Sequence, residues 1–306
     1  MIPTDDPYKG VNDMTISLTS GTTSGVVRTY GGELVSFKAG GLEYVWQGDP
    51  AHWNGQAPIL FPVCCSAKDN KIAFGGVEYP MPKHGLARKR EFEPILIAKD
   101  RIVLEQRETE ETLLSFPFCY SLKADYTVRE DGFSATFTVK NLDKNEMTFC
   151  IGGHPGFNVP LAPEDGGFED HSLFFEDAAG CTASITKDGY MNAEVPKLDI
   201  LKGTNELPLV WSDYDNDAII LERLPKKSVR LLSRVSGKGF RFDFEGFDAL
   251  GLWTPDHKHS PFICLEPWNG LPADVAETTD AKSKKYAKTI APDAEYTVGY
   301  AVTVIR

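Results

Sequence analysis

Two residues in this sequence have the type and setting needed to move protons: Glu266 and His154. Glu266 follows the apolar run Phe262-Ile263-Cys264-Leu265 and precedes Pro267-Trp268-Asn269-Gly270. That pattern predicts a carboxylate at the last position of a buried strand, with Pro267 and Gly270 stopping it. Carboxylates are seldom fully buried without a partner. Such a group either caps a neighbouring loop or belongs to a small-molecule site, and the stretch alone leaves both readings open. His154 sits in Gly152-Gly153-His154-Pro155-Gly156-Phe157. A core histidine bonded to a loop carbonyl needs no glycines on both sides, whereas a ring that a ligand must approach closely benefits from them. One histidine and one carboxylate, with no nucleophilic Ser or Cys beside a partner, make a general acid and base suited to moving protons without a covalent intermediate.

Other residues stand as candidates with a structural alternative beside each. His84 lies in Lys83-His84-Gly85-Leu86-Ala87-Arg88, where an exposed loop histidine is equally compatible with the spacing. Arg88 reads either as a surface charge or as a substrate clamp. Asp217 precedes the apolar run Ala218-Ile219-Ile220-Leu221 and could equally form a capping Asx turn. Trp53, Trp253 and Trp268 could stack on the CH-rich face of a sugar or fill the core. Asp256-His257-Lys258-His259 has metal-like composition but lies in a polar turn, where solvated side chains are the default, so no metal is expected. Neither a P-loop nor a G-x-S-x-G elbow is present, and the Gly-Gly pairs open no helix.

The elements that must position these residues read as strands. Short apolar–polar alternations recur, among them Met14–Thr19, Ser24–Tyr30, Arg101–Glu108, Tyr120–Arg129, Phe133–Lys140, Leu250–Thr254 and Glu295–Ile305, separated by Gly, Asn and Asp. Glu130-Asp131-Gly132 marks a hairpin. Residues 47–90 are irregular and rich in Pro and aromatics, with a hairpin expected at Lys71–Phe74 and Val77–Tyr79 around Gly75-Gly76. Gly152–Phe157 interrupts the strand pattern, and a helix is only weakly indicated at Ala276–Lys285. The expectation is an all-β sandwich or barrel: a loose arm over residues 1–13 and one large domain over 14–306.

The chain has 306 residues, 42% of them hydrophobic and 25% charged, as in a globular domain with a large core. A net charge of −12 argues against nucleic acid or an anionic membrane as partner. The first residues have neither the basic nor the apolar region of a signal peptide, and no apolar run spans a bilayer. The six cysteines lack zinc-type spacing. They read as free thiols of a cytoplasmic protein, expected as a monomer or homodimer.

Five ordered stretches together resemble the aldose 1-epimerase (galactose mutarotase-like) family, most closely its LacX-type branch. They are Ala57–Pro62, His84–Arg88, Gly152–Leu161, Leu250–Thr254 and Cys264–Trp268. The resemblance covers nearly the whole chain after residue 13. It implies a β-supersandwich fold and interconversion of the α and β anomers of an aldose, with a sugar as the partner molecule and no cofactor. It casts His154 as the general acid that protonates the ring oxygen and Glu266 as the base that takes the anomeric hydroxyl proton. His84 and Asp217 would bind the sugar. Where relatives carry an arginine after the Phe-Pro pair, this chain has Ser66, and a hydroxyl cannot replace a guanidinium fork. Lys68 or Arg88 would then have to supply the donor. A cluster of Lys68, Lys83 and Arg88 would instead fit a hexose 6-phosphate, and a non-catalytic sugar sensor is a third possibility.

Overall fold

Period-two burial decides the architecture. In the strands Tyr120–Arg129 and Gly132–Asn141 buried and half-exposed positions alternate over most of their length. That is what one face on a core and one face on water require. Both boundaries lie within a residue of the expected ones, and Arg129 pairs with Gly132 across the two-residue turn. The computed structural model describes residues 14–186, 189–192, 194–255 and 257–306, so the arm expected at 1–13 lies outside the described residues.

These two strands belong to a nine-stranded antiparallel sheet. Its order is Glu206–Pro208, His171–Phe175, Ser228–Ser233, Gly239–Asp243, Glu295–Ile305, Gly132–Asn141, Tyr120–Arg129, Arg101–Arg107 and Glu93–Ile97. A seven-stranded sheet runs Ala183–Ile185, Ile219–Glu222, Ala249–Trp253, Phe262–Asn269, Ile151–Gly153 and Ile59–Leu60, with Gly156–Asn158 also paired to Phe262–Asn269. The two sheets share one core. Leu250, Leu252, Ile263 and Leu265 of the smaller sheet bury with Phe133, Phe137, Phe240 and Phe242 of the larger. Phe157 and Phe240 meet across them with ring centroids 4.6 Å apart. A four-stranded sheet, Thr15–Ser20 through Leu42–Glu43, adds Leu18, Val27, Leu34 and Phe37 to that core. The all-β sandwich expectation holds.

Alternation also assigns the other face of the smaller sheet. Gly251 and Trp253 on one strand, and Phe262, Cys264, Glu266 and Trp268 on the next, occupy the positions between the core residues. Ile220, Ala249 and Trp268 bury there in a second cluster, and Phe262 and Cys264 in a third. Glu266 therefore points away from the sandwich core while remaining buried.

The structure corrects three local expectations. Glu266 is not the end of its strand, which continues as Phe262–Asn269 through Pro267. Leu265 N–H bonds to Pro155 O, so residue 267 presents its nitrogen to that same side. There the partner chain is split between Ile151–Gly153 and Gly156–Asn158, and a missing N–H costs no ladder bond. Gly152–Phe157 is thus not a plain interruption but two short strands on either side of His154-Pro155. Within Ala276–Lys285 only a 3-10 turn forms, Ala281–Ser283. The one α-helix among the described residues is Glu110–Leu113, capped by Thr109, which accepts from Thr112 N–H.

Candidate active site

The break beside Pro267 brings the two chemical groups together. Gly152 pairs with Leu60 and Gly153 with Ile59, while His154 N–H bonds to Pro58 O and Gly156 N–H to Gln56 O. The irregular Ala57–Pro62 stretch therefore clamps the histidine loop from one side. The Glu266 strand holds it from the other. His154 Nε2 stands 3.2 Å from Glu266 Oε2, with both side chains buried. His154 Nδ1 and Trp268 Nε1 are buried without a well-aligned hydrogen-bond partner among the described residues. Unsatisfied buried polar atoms are rare in folded proteins, and their concentration here points to a ligand.

The flanking glycines have a different cause from the one expected. A Cβ on Gly152 would meet the Trp268 ring at 2.8 Å, one on Gly153 the Tyr300 ring at 2.8 Å, and one on Gly156 Trp46 and Trp53 at 3.1 and 3.2 Å. They let large aromatic side chains pack around the loop rather than opening it to a ligand. Gly251, paired with Glu266, likewise makes room for the Trp268 indole, 2.6 Å from its would-be Cβ. Trp53 stacks on the His154 ring, centroids 4.8 Å apart at 25°, and Trp253 meets both rings edge-on.

His84 completes the cluster. Its ring lies edge-on to His154 at 5.4 Å. The Cys65 N–H donates to His84 Nδ1 at 3.2 Å, so a neutral ring carries its proton on Nε2. The turn that presents it is tight: His84 has φ 66° and Gly85 φ 74°. A Cβ on Gly85 would strike Phe61 O at 2.2 Å, so glycine alone allows this approach of the two segments. Cys65 (φ 54°) and Asp217 (φ 85°) also adopt left-handed backbone. Such conformations concentrate at functional sites because the surrounding structure must hold them.

These groups line one cavity of about 200 Å³, formed by Trp53, Cys65, Lys83, His84, His154, Thr186, Gly189, Asp217, Ala218, Trp253, Glu266, Trp268 and Pro272. It is smaller than pockets for drug-sized ligands. A larger cleft of about 630 Å³ near Phe74 and Phe118 carries no histidine. Burial holds the Glu266 carboxyl well above the usual carboxylate range; Lys83 opposes this and Asp217 adds to it. Burial pushes the His154 imidazole down to about 3, and Arg88 and Lys83 push the same way. His84 is also held well below its ordinary value, first by burial and then by His154. Burial thus disfavours the charged form of all three groups, His84, His154 and Glu266.

His154, Glu266, His84, Asp217 and Trp268 thus converge as expected, while Lys68 and Arg88 do not line the cavity. Lys68 Nζ donates instead to Val275 O at 2.8 Å, and Arg88 lies half-buried in the turn Ala87–Lys89. The Ser66 carbonyl faces the buried Lys284, whose ammonium lies 3.4 Å from it and 3.1 Å from Glu277. The two histidines of the metal-like stretch go separate ways: His257 to Asp215 at 3.0 Å and His259 onto Trp211 at 4.7 Å; Asp256 lies outside the described residues. Sequence reasoning missed Cys65, Thr186, Gly189 and Pro272, which come from separate segments and share no spacing.

The sequence matches the aldose 1-epimerase family model over residues 14–291. It is 36% identical over 302 residues to the plasmid-encoded protein LacX of Lactococcus lactis subsp. lactis, covering 96% of this chain and all of that one. Among solved structures, a galactose mutarotase-like protein from Lactobacillus casei ATCC 334 superposes with a TM-score of 0.88 at 32% identity, over 95% of this chain and 100% of that one. A galactose mutarotase related enzyme from Lactobacillus acidophilus gives 0.87 at 25% identity, over 96% and 98%.

Proposed function

We infer the function from one premise: the chain belongs to the aldose 1-epimerase family. It is an isomerase of the aldose 1-epimerase type. Its reaction, we propose, interconverts the α and β anomers of a free hexose by acid–base ring opening and closure, without a cofactor. The observation that carries this reading is the His154–Glu266 pair, 3.2 Å apart and lining one cavity of about 200 Å³.

The pair needs one proton between its two members. With sugar bound, that proton resides on His154, and Glu266 is the carboxylate. Glu266 takes the proton of the anomeric hydroxyl while His154 delivers its own to the ring oxygen, and the C1–O5 bond breaks to give the open-chain aldehyde. Rotation about C1–C2 presents the other carbonyl face. Return of both protons closes the second anomer and restores the starting state. His84 Nε2–H and the Asp217 carboxylate bind sugar hydroxyls, and Trp53, Trp253 and Trp268 supply the apolar faces. Lys83 favours the carboxylate form of Glu266 on which the base role depends.

A neutral sugar is favoured over a hexose 6-phosphate because Lys68 and Arg88 are absent from the lining, leaving Lys83 without a cationic cluster. The six cysteines, all free thiols, support a cytoplasmic setting. Polarimetry or NMR of freshly dissolved α-glucose, α-galactose and a panel of sugar 6-phosphates tests the reading, with wild type and Glu266→Gln side by side. Acceleration by wild type and its loss in the variant are expected. No acceleration with any sugar overturns the proposed reaction, and equal rates in the variant remove Glu266 as the base.

A further inference from the structure

One side chain that the proposed reaction leaves idle reaches the same point as the acid–base pair. Cys264 precedes Glu266 by two residues on the same face of the strand and is fully buried outside the cavity lining. A ring nitrogen of His154, the Sγ of Cys264 and a carboxylate oxygen of Glu266 all lie within 4.8 Å of one another. We propose that these three side chains form an inhibitory site for a thiophilic divalent cation, of which zinc is the type, and that the bound cation disables the acid–base pair.

The donor set selects the ion. Imidazole, thiolate and carboxylate together suit zinc, whereas magnesium and calcium seek oxygen ligands alone and gain nothing from sulfur. Zinc bonds to these donors are about 2.0–2.3 Å long, so three atoms within this spread reach a common centre by side-chain adjustment. The His154–Glu266 edge is already short, at 3.2 Å. Charge favours the same outcome: a carboxylate and a thiolate cancel a dication, and the buried site ends neutral.

The protons balance without any redox change. Zinc ligates the neutral imidazole and the deprotonated thiol and carboxyl, so the protons of those two groups leave to solvent as the ion binds. Cation binding releases those two protons and forms three metal–ligand bonds. The ring nitrogen and the carboxylate oxygen are then no longer free to exchange protons with a sugar. The blockade of turnover rests on the proposed reaction; the binding itself does not.

The test titrates zinc chloride into the full-length protein during polarimetry and reverses it with EDTA. In parallel, cobalt(II) is titrated while the visible and near-ultraviolet spectrum is recorded. Zinc is expected to abolish acceleration reversibly, more strongly as pH rises because a ligating thiol must be deprotonated. Cobalt is expected to show a thiolate-to-cobalt charge-transfer band. Cys264→Ala keeps the acid and base, lacks that band and needs at least about tenfold more zinc for the same inhibition, the lower end of what even outer-shell ligand partners contribute. Zinc-insensitive activity, equal sensitivity of the variant, or no thiolate band in wild type each overturns the proposal. Where the variant does not fold, the wild-type cobalt spectrum decides. That spectrum also reads binding independently of whether the correct sugar was assayed.

Discussion

His154 Nε2 and Glu266 Oε2 face each other at 3.2 Å where the Glu266 strand passes the gap between two short strands, and both side chains are buried. The gap exists because Pro155 and Pro267 stand on opposite sides of a ladder that neither could complete. The Glu266 strand thus has one split neighbour, which carries His154, and one continuous neighbour, Ala249–Trp253.

Glu266 sets a pH signature on stability. Its folded value is raised, so between the unfolded value near 4.5 and the folded one the native state holds a proton that the unfolded chain releases. This group's contribution is fully present below the unfolded value and is lost as pH rises through the folded one. Glu266→Gln removes that loss. The variant's melting temperature relative to wild type is expected to climb from pH 5 to pH 8, read by circular dichroism. His154 works in the opposite sense: lowered from 6.5 to about 3, it costs stability as pH falls through that interval. A difference that stays flat with pH would place the Glu266 carboxyl in an ordinary environment.

Lys83 lines the cavity and favours the Glu266 carboxylate. Lys83→Met is expected to move the acid limb of the kcat/KM profile to higher pH, while Lys83→Arg leaves it near the wild-type position. Coincident profiles for all three proteins would show that the ammonium does not act on the base.

His84→Asn retains an acceptor for the Cys65 N–H and removes the Nε2–H donor from the cavity. Loss of one sugar hydrogen bond, about 1 kcal/mol, corresponds to roughly a fivefold rise in KM with kcat little changed. A large fall in kcat at constant KM would instead give His84 a role in proton transfer.

Gly251→Ala drives a methyl into the Trp268 ring, 2.6 Å from the ideal Cβ position, opposite Glu266 in the ladder. Overpacking of this kind costs about 1–3 kcal/mol. A melting temperature lowered by several degrees and a reduced kcat are expected together, since the strand that shifts carries the base. An unchanged melting temperature would mean that the indole yields freely.

Much of this protein is written along the chain, for a local reason. Strands such as Tyr120–Arg129 and Glu295–Ile305 carry their own period-two pattern, so their boundaries coincide with those read from sequence. His154 and Glu266 stood out because each is a polar residue set against that pattern, and five ordered motifs carried the family. The rest depended on contacts between distant segments. Pro267 looked like a strand terminator because the chain alone does not reveal that its nitrogen faces a split ladder. The glycines around His154 looked like room for a ligand because the aromatic rings they accommodate come from residues 46, 53, 268 and 300. Arg88 and Lys68 read as clamps along the chain, but the fold leaves them off the cavity lining, and His154 joins Cys264 and Glu266, neighbours on one strand face, only because its loop is held beside that strand. Local alternation specifies which faces are buried; which buried groups meet is set by pairing across more than a hundred residues, which no short-range pattern encodes.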